Sequence, residues 1–247
     1  MNKQYTQGLG TPTAILIVGV LIAGAIIFSG PGSSSTSGSN TNGGSAPQIA
    51  AVNPEAVEDL LKSLDVDAKE LATCVAEEET AALVQGDYEE GLAAGVQGTP
   101  YSLVVDTKTG VTIPVNGGQP FANFKLLIDA ILADSPDLAD AAVESSISTE
   151  TSDDFVRGSE DARILVIEFS DIECPFCARF HETMNEALTV YPNDIQWVYR
   201  HFPLDQIHPN ARKAAATVEC IGEQKGSDAY WTALDAMFAN PALPKSL

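Results

Sequence analysis

The stretch Ile164-Leu165-Val166-Ile167-Glu168-Phe169-Ser170-Asp171-Ile172-Glu173-Cys174-Pro175-Phe176-Cys177 decides how the rest of the chain is read. The near-continuous apolar run up to Phe169 suits a central strand covered on both faces. A four-residue turn then leads to two cysteines that open a helical pattern, which reads as a dithiol/disulfide redox centre. Thiol exchange needs an exposed cysteine held as thiolate, and a helix N-terminus, with unpaired N–H groups, favours negative charge at Cys174. Pro175 suits the first helical position, where its missing N–H would be unpaired anyway. Cys177 stands about one helical turn away, close enough to resolve a mixed disulfide formed at Cys174.

Other readings of two close cysteines are a zinc site or two buried thiols. His181 extends the motif to C-x2-C-x3-H, but a structural zinc needs a fourth ligand, and Cys74 and Cys220 stand without a close pair. No metal is therefore expected. Ala178 follows Cys177, so the haem-attachment form is absent.

The 247 residues, 45% hydrophobic, suffice for one good-sized core with a small subdomain. A net charge of −21 argues against nucleic acid and anionic lipid as partners of the soluble part. Ala14 to Phe28 is an apolar or glycine run, preceded by Lys3 and followed by a Ser/Gly/Asn/Thr stretch. The expected organisation is a tail at 1–12, a transmembrane anchor or signal at 13–29, and a flexible linker at 30–47. The positive amino terminus places the rest outside the cytoplasm, on a single-pass protein of the cell membrane. Disulfides persist there.

Further on, Val57, Leu60, Leu61 and Leu64 mark a helix, a second is expected over Ala68–Glu79 and a third over Leu83–Ala94. Tyr101–Asp106 and Val111–Val115 read as a hairpin, and Phe121 to Ile131 as an amphipathic helix. Asp134 to Ser159 is acidic and Ser/Thr-rich, and reads as a surface linker. A helix over Phe176–Tyr191, a strand over Ile195–Phe202 parallel to the first, and helices from about Pro209 to Gln224 and Asp228 to Ala239 complete an α/β pattern. Trp197 and Trp231 are expected in the core. His181, His201 and His208 need no chemistry.

The strand leading into Cys-Pro-Phe-Cys, the pair Phe180-His181, the Tyr199-Arg200-His201-Phe202-Pro203-Leu204 strand end and the Gly95-Val96-Gln97-Gly98-Thr99-Pro100 segment together resemble DsbA-like thiol:disulfide oxidoreductases of the thioredoxin superfamily. The resemblance covers nearly everything from Asn53 to Leu247 and implies a thioredoxin-like fold with a helical insertion. The order differs from the family: residues 48–134 correspond to its C-terminal half and 153–247 to its N-terminal half, joined by a linker at 135–152. Circular permutation, a truncated tandem and a misassembled gene would each give this order. The halves are complementary, which favours permutation, and pairing between two chains in a swapped dimer would satisfy the same edges.

By resemblance, Pro100 is the cis-proline beside the dithiol, and Thr99 offers its backbone to substrate peptides, flanked by Pro175 and Phe176. Glu168 matches a buried acid beneath the dithiol, able to accept the Cys177 proton during exchange because burial raises a carboxyl pKa toward neutrality. Asp171 and Glu173 would disfavour the thiolate. Cys74 and Cys220 resemble a second, structural disulfide of some relatives; two buried free thiols is the alternative.

The function implied is an anchored oxidoreductase that forms, reduces or isomerises disulfides in cysteine-containing exported proteins, with no cofactor beyond its own sulfurs. A membrane or soluble redox partner would reset it. The alternative is a non-catalytic scaffold or redox-sensing module, or a truncated tandem.

Overall fold

The computed structural model describes residues 54–145, 147–149 and 154–247. The expected tail, anchor and flexible linker lie outside them. Among the described residues no helix is long and apolar enough to cross a membrane.

Three helices come first: α1 (Pro54–Ser63), α2 (Ala68–Val75) and α3 (Glu78–Ala93). Asp67 caps α2 by accepting from the Lys69 and Glu70 N–H groups. The single helix expected over Ala68–Glu79 is in fact broken. The Thr80 hydroxyl bonds back to the Cys74 carbonyl and Glu77 N–H donates to the same oxygen, closing a turn that lets α3 start at Glu78.

The hairpin β1 (Tyr101–Asp106) and β2 (Thr112–Asn116) follows, then α4 (Phe121–Leu132) and the short α5 (Leu138–Ala141). The second stretch holds β3 (Val156–Gly158), β4 (Ile164–Ser170), α6 (Pro175–Val190), β5 (Ile195–His201), α7 (Ala211–Lys225), α8 (Ser227–Ala239) and α9 (Leu243–Ser246). The surface linker expected over Asp134–Ser159 thus departs from its reading in three places. It contains α5, it buries Ile147, and its end pairs as β3 along β5. A lone isoleucine and a three-residue strand are below what periodicity can register.

One five-stranded sheet has the order β2-β1-β4-β5-β3. β4 runs parallel to β5, the crossover being α6, and antiparallel to β1, so one sheet draws strands from both stretches of sequence. All seven residues of β4 are buried. Pro114, which cannot donate to a ladder, sits in the edge strand β2.

Strand alternation divides the core. Ile164 and Val166, with Val104, Trp197 and Tyr199, face a large cluster with Phe124 and Ile128 of α4, Phe180 and Met184 of α6, Val218 of α7 and Leu234 of α8. Trp231 joins it, as expected of both tryptophans. Leu165, Ile167 and Phe169 face the opposite way, toward Val96, Val198 and Phe202. On that side α3 approaches the sheet through Gly91, where a Cβ would lie 2.6 Å from the Phe202 ring and 2.9 Å from Phe169. Helix propensity alone expects Gly91→Val to stabilise the protein slightly. Overpacking two buried rings costs about 1–3 kcal/mol and dominates, so the urea midpoint of Gly91→Val is expected to fall at unchanged slope. A midpoint equal to wild type or above would show that α3 can back away freely.

Candidate active site

Cys174 is the N-cap of α6, with extended backbone (φ −78, ψ 121), and Pro175 fills the first helical position. Cys174 N–H donates to the Asp171 carbonyl at 3.0 Å, and its own carbonyl accepts the first helical bond from Ala178 at 3.1 Å. The turn therefore places the Cys174 sulfur over the open N–H groups of the helix. Both Cys174 and Cys177 are free thiols.

Their environments differ sharply. The Cys177 thiol, donating to the Cys174 sulfur, is the main influence that lowers the Cys174 pKa to about 5; the Phe176 and Cys177 backbone N–H groups and the Thr99 hydroxyl act in the same direction. Thr99 meets the sulfur in both protonation states. As a thiol, Cys174 points to the Thr99 carbonyl at 3.6 Å. As a thiolate, it can accept from the Thr99 hydroxyl, which is buried without another partner. Burial, reinforced by the hydrogen bond and charge of Cys174, pushes Cys177 the opposite way, well above its ordinary value. The Asp171 N–H donates to the Cys177 sulfur at 3.5 Å.

The exposed nucleophile expected at Cys174 is instead nearly covered, with 5% of its surface accessible. Thr99 and the neighbouring cis peptide bond to Pro100 lie across it. Phe176 is the exposed member of the motif at 56%, its ring stacked by the Arg179 guanidinium 4.5 Å from the centroid. Gly118, on the loop between β2 and α4, approaches so closely that a Cβ there would lie 2.7 Å from the Phe176 carbonyl oxygen. A recess of about 490 Å³, lined by Gly98, Thr99, Pro100, Tyr101, Asn116 and Gly117, runs along this loop. A larger apolar groove of about 680 Å³, lined by Leu71, Val75, Val84 and Ala216 among others, shares no residue with the dithiol turn.

The carboxylates of Asp171 and Glu173, the charges expected to disfavour the thiolate, are held by partners outside the dithiol. Asp171 accepts from the Glu173 and Leu204 N–H groups, each at 2.7 Å, and pairs with His208 at 2.9 Å. Glu173 accepts from the backbone N–H and side-chain amide of Asn210. Both acids tie the cysteine turn to the loop entering α7.

Glu168 lies on the face of β4 that carries Ile164 and Val166, toward α6, and none of its surface is accessible. Burial pushes its carboxyl up to about 8, and the Cys174 charge adds to the rise. One oxygen accepts from the Trp197 indole N–H at 3.0 Å, while the other is buried without a partner. Trp197, read from sequence as core alone, is therefore also the donor to this acid. Only the register of β5 against β4 could have revealed that.

Cys74 of α2 and Cys220 of α7 form a disulfide with their Cα atoms 5.9 Å apart. Glu223 brings a carboxylate oxygen to 3.3 Å from the Cys74 sulfur. Among the described residues these three form the one grouping of potential metal ligands, and both sulfurs are in the bridge. His181 pairs with Asp235 and His201 with Glu219.

Residues 150–242 match the family model described as Thioredoxin. That match supports a thioredoxin-superfamily domain at residues 150–242. Among curated relatives, it is similar to Na(+)/H(+) antiporter NhaA 1 of Salinispora arenicola, 33% identical over 103 residues, which cover 42% of this chain and 15% of the antiporter. It is also similar to Na(+)/H(+) antiporter NhaA 1 of Mycobacterium sp. (strain KMS), 41% identical over 71 residues, 29% of this chain and 12% of that protein. The chain thus spans a small fraction of the length of these relatives. No solved structure matches it significantly.

The pair of sulfurs makes a direct expectation about reactivity. In the reduced protein, alkylation of Cys174 should rise with pH through a midpoint near 5, below which the thiolate is protonated and the rate falls away. Cys177 should stay unlabelled at neutral pH. Peptide mapping after iodoacetamide treatment reads both, and equal slow labelling of the two would overturn the assignment.

Proposed function

We propose that this protein is a DsbA-like thiol:disulfide oxidoreductase working chiefly in the oxidising direction, with the two halves of its domain in circularly permuted order. The observation that carries the reading is the asymmetry of Cys174 and Cys177. One sulfur sits at a helix start with its thiolate favoured, the other is buried with its thiol favoured, and a protonatable acid lies on the sheet face toward α6. A stabilised Cys174 thiolate favours the reduced pair, which makes the disulfide form an oxidant.

In the oxidised enzyme a substrate thiolate attacks the Cys174 sulfur. The Cys174–Cys177 bond breaks, Cys177 leaves with the electron pair, and Glu168, protonated at neutral pH, supplies the proton. A second substrate thiolate then attacks the substrate sulfur of the mixed disulfide. Cys174 is released as thiolate, and the substrate leaves with a new disulfide. The two electrons now on the dithiol pass to a membrane or soluble redox partner. Pro100 and Thr99 would hold the substrate chain beside Cys174, with Pro175 and Phe176 bordering it.

Permutation is supported by β1 of residues 48–134 pairing with β4 of residues 153–247, and by α9 packing on α1. Localisation follows from the apolar Ala14–Phe28 run: we read the domain as anchored at the cell membrane and facing outward, on cysteine-containing exported proteins. The likeness to the two antiporters covers at most 15% of their length, and the reading rests on the dithiol instead. The test is oxidation of a reduced two-cysteine peptide by the purified protein, together with the equilibrium of the Cys174–Cys177 pair against glutathione. A pair more oxidising than glutathione and catalytic peptide oxidation are expected. A strongly reducing pair would reverse the direction, and no exchange at all would leave the non-catalytic reading.

A further inference from the structure

The register of the sheet lines up three polar residues on one buried row. Ser102 of β1 stands opposite Glu168 of β4, and Glu168 stands opposite Tyr199 of β5. Directly paired residues on one face lie about 5 Å apart. The face is the one toward α6, since Val104, Val166, Trp197 and Tyr199 all belong to the core on that side. Ser170 follows Glu168 two residues on, so it shares the face.

The hydroxyls of Ser102, Ser170 and Tyr199 are all buried without a hydrogen bond of ordinary geometry, and the free oxygen of Glu168 is in the same condition; Ser170 comes nearest to engaging the acid, and its hydroxyl already opposes the rise that burial imposes on the Glu168 carboxyl. A buried hydroxyl without a partner costs about 1–3 kcal/mol, so three at one place beside a buried acid are not explained by packing. We propose that Tyr199, with Ser102 and Ser170, forms a hydroxyl cradle that turns toward Glu168 and stabilises its carboxylate once the proton has gone to Cys177. A neutral carboxyl needs little from its surroundings, whereas a buried carboxylate needs a donor at each oxygen. Trp197 serves one oxygen in both states. The cradle serves the other only when charge appears there, which lowers the barrier to proton transfer without holding Glu168 ionised beforehand. Tyr199 is thus a positioning residue, and this deepening rests on the proton-donor role given to Glu168 above.

Other titratable groups face this row from each element packed on it. Cys174 at the cap of α6 disfavours charge on Glu168, Cys177 within α6 shares its field, and Tyr199 also feels Tyr230 of α8 and Asp171 in the turn beyond Ser170. None of these supplies a hydroxyl to the open Glu168 oxygen.

The experiment is an infrared titration of the reduced full chain, in which the protonated Glu168 carbonyl band is identified by its loss in Glu168→Gln. In Tyr199→Phe, which keeps the ring, the midpoint of that band should rise by about one pH unit, a tenfold loss of ionisation at a given pH. Ser102→Ala should raise it in the same direction and provides a second reading if Tyr199→Phe folds poorly. Peptide oxidation by both variants should slow most at the proton-transfer step, and the fall in rate as Glu168 loses its proton should come at higher pH than in wild type. Lowered thermal stability with an unchanged midpoint in both variants would make the row structural and overturn the proposal. Because the titration uses no substrate, a shifted midpoint in a protein that fails to oxidise peptides would refute the enzymatic reading while leaving the cradle intact.

Discussion

Replacing Cys177 with serine should turn the protein into a trap that accumulates mixed disulfides with its substrates, and replacing Cys174 should abolish exchange altogether. The asymmetry follows from the geometry. At pH 7 an ordinary cysteine is only about 3% thiolate, whereas a thiol with a pKa near 5 is almost wholly ionised. Cys174 therefore supplies nearly all the reactive sulfur, and Cys177, pushed upward by burial, supplies almost none until Cys174 has reacted. In Cys177→Ser, a mixed disulfide at Cys174 has no intramolecular thiol to release it, so it should survive non-reducing electrophoresis. In Cys174→Ser the remaining thiol is inaccessible and protonated, and exchange should fall to the uncatalysed background. Cys177→Ala, which leaves no side-chain donor, should raise the Cys174 midpoint, because the hydrogen bond from Cys177 is its largest downward influence, whereas serine keeps a hydroxyl donor at that position. Mixed disulfides that appear in Cys174→Ser instead would exchange the roles of the two sulfurs.

Much of this site was legible in the sequence because it is local. Fourteen consecutive residues carry strand, turn, helix cap and dithiol, and local order is what periodicity and capping rules read. The buried acid was legible too, since a carboxylate within an Ile/Leu/Val/Phe run stands out. What could not be read is whatever depends on register or on distant partners. Ser102 and Tyr199 become neighbours of Glu168 only through two pairings across the sheet. Sequence shows the proximity of Asp171 and Glu173 to Cys174 but not that Leu204, His208 and Asn210 take up their oxygens. Likewise the cover over Cys174 comes from Thr99, 75 residues away. The break between α2 and α3 carries no glycine or proline; the Thr80 hydroxyl and the Glu77 N–H close it on the Cys74 carbonyl, against the helix propensity of the residues there.

The Cys74–Cys220 bridge should stay oxidised under conditions that reduce the Cys174–Cys177 pair, and removing it should cost more stability than any single core substitution outside the site. It spans 146 residues of sequence, and the loop-entropy model assigns such a closure about 5 kcal/mol. For a domain of this size that corresponds to a fall in melting temperature on the order of 10 °C. The location gives the bridge leverage, since α2 and α7 come from the stretches on either side of residues 135–152 and the disulfide is their covalent tie besides the backbone itself. Resistance to reduction has its own cause. Cys220 is fully buried, and Cys74, the more accessible sulfur, has the Glu223 carboxylate 3.3 Å away. Glu219, Glu79 and Glu77 add to the negative field around Glu223. An attacking thiolate must approach through that field, and like-charge repulsion over a few ångströms in a partly buried site slows it. Glu223→Gln should therefore speed reduction by glutathione with little change in stability, and added salt should narrow the difference between the two proteins. Cys74→Ala/Cys220→Ala should melt well below wild type while its Cys174 alkylation midpoint stays where it was. If Cys74 and Cys220 are alkylated in the native protein as readily as Cys174, the staple is absent in solution, and the two stretches are held by the sheet and the packed helices alone.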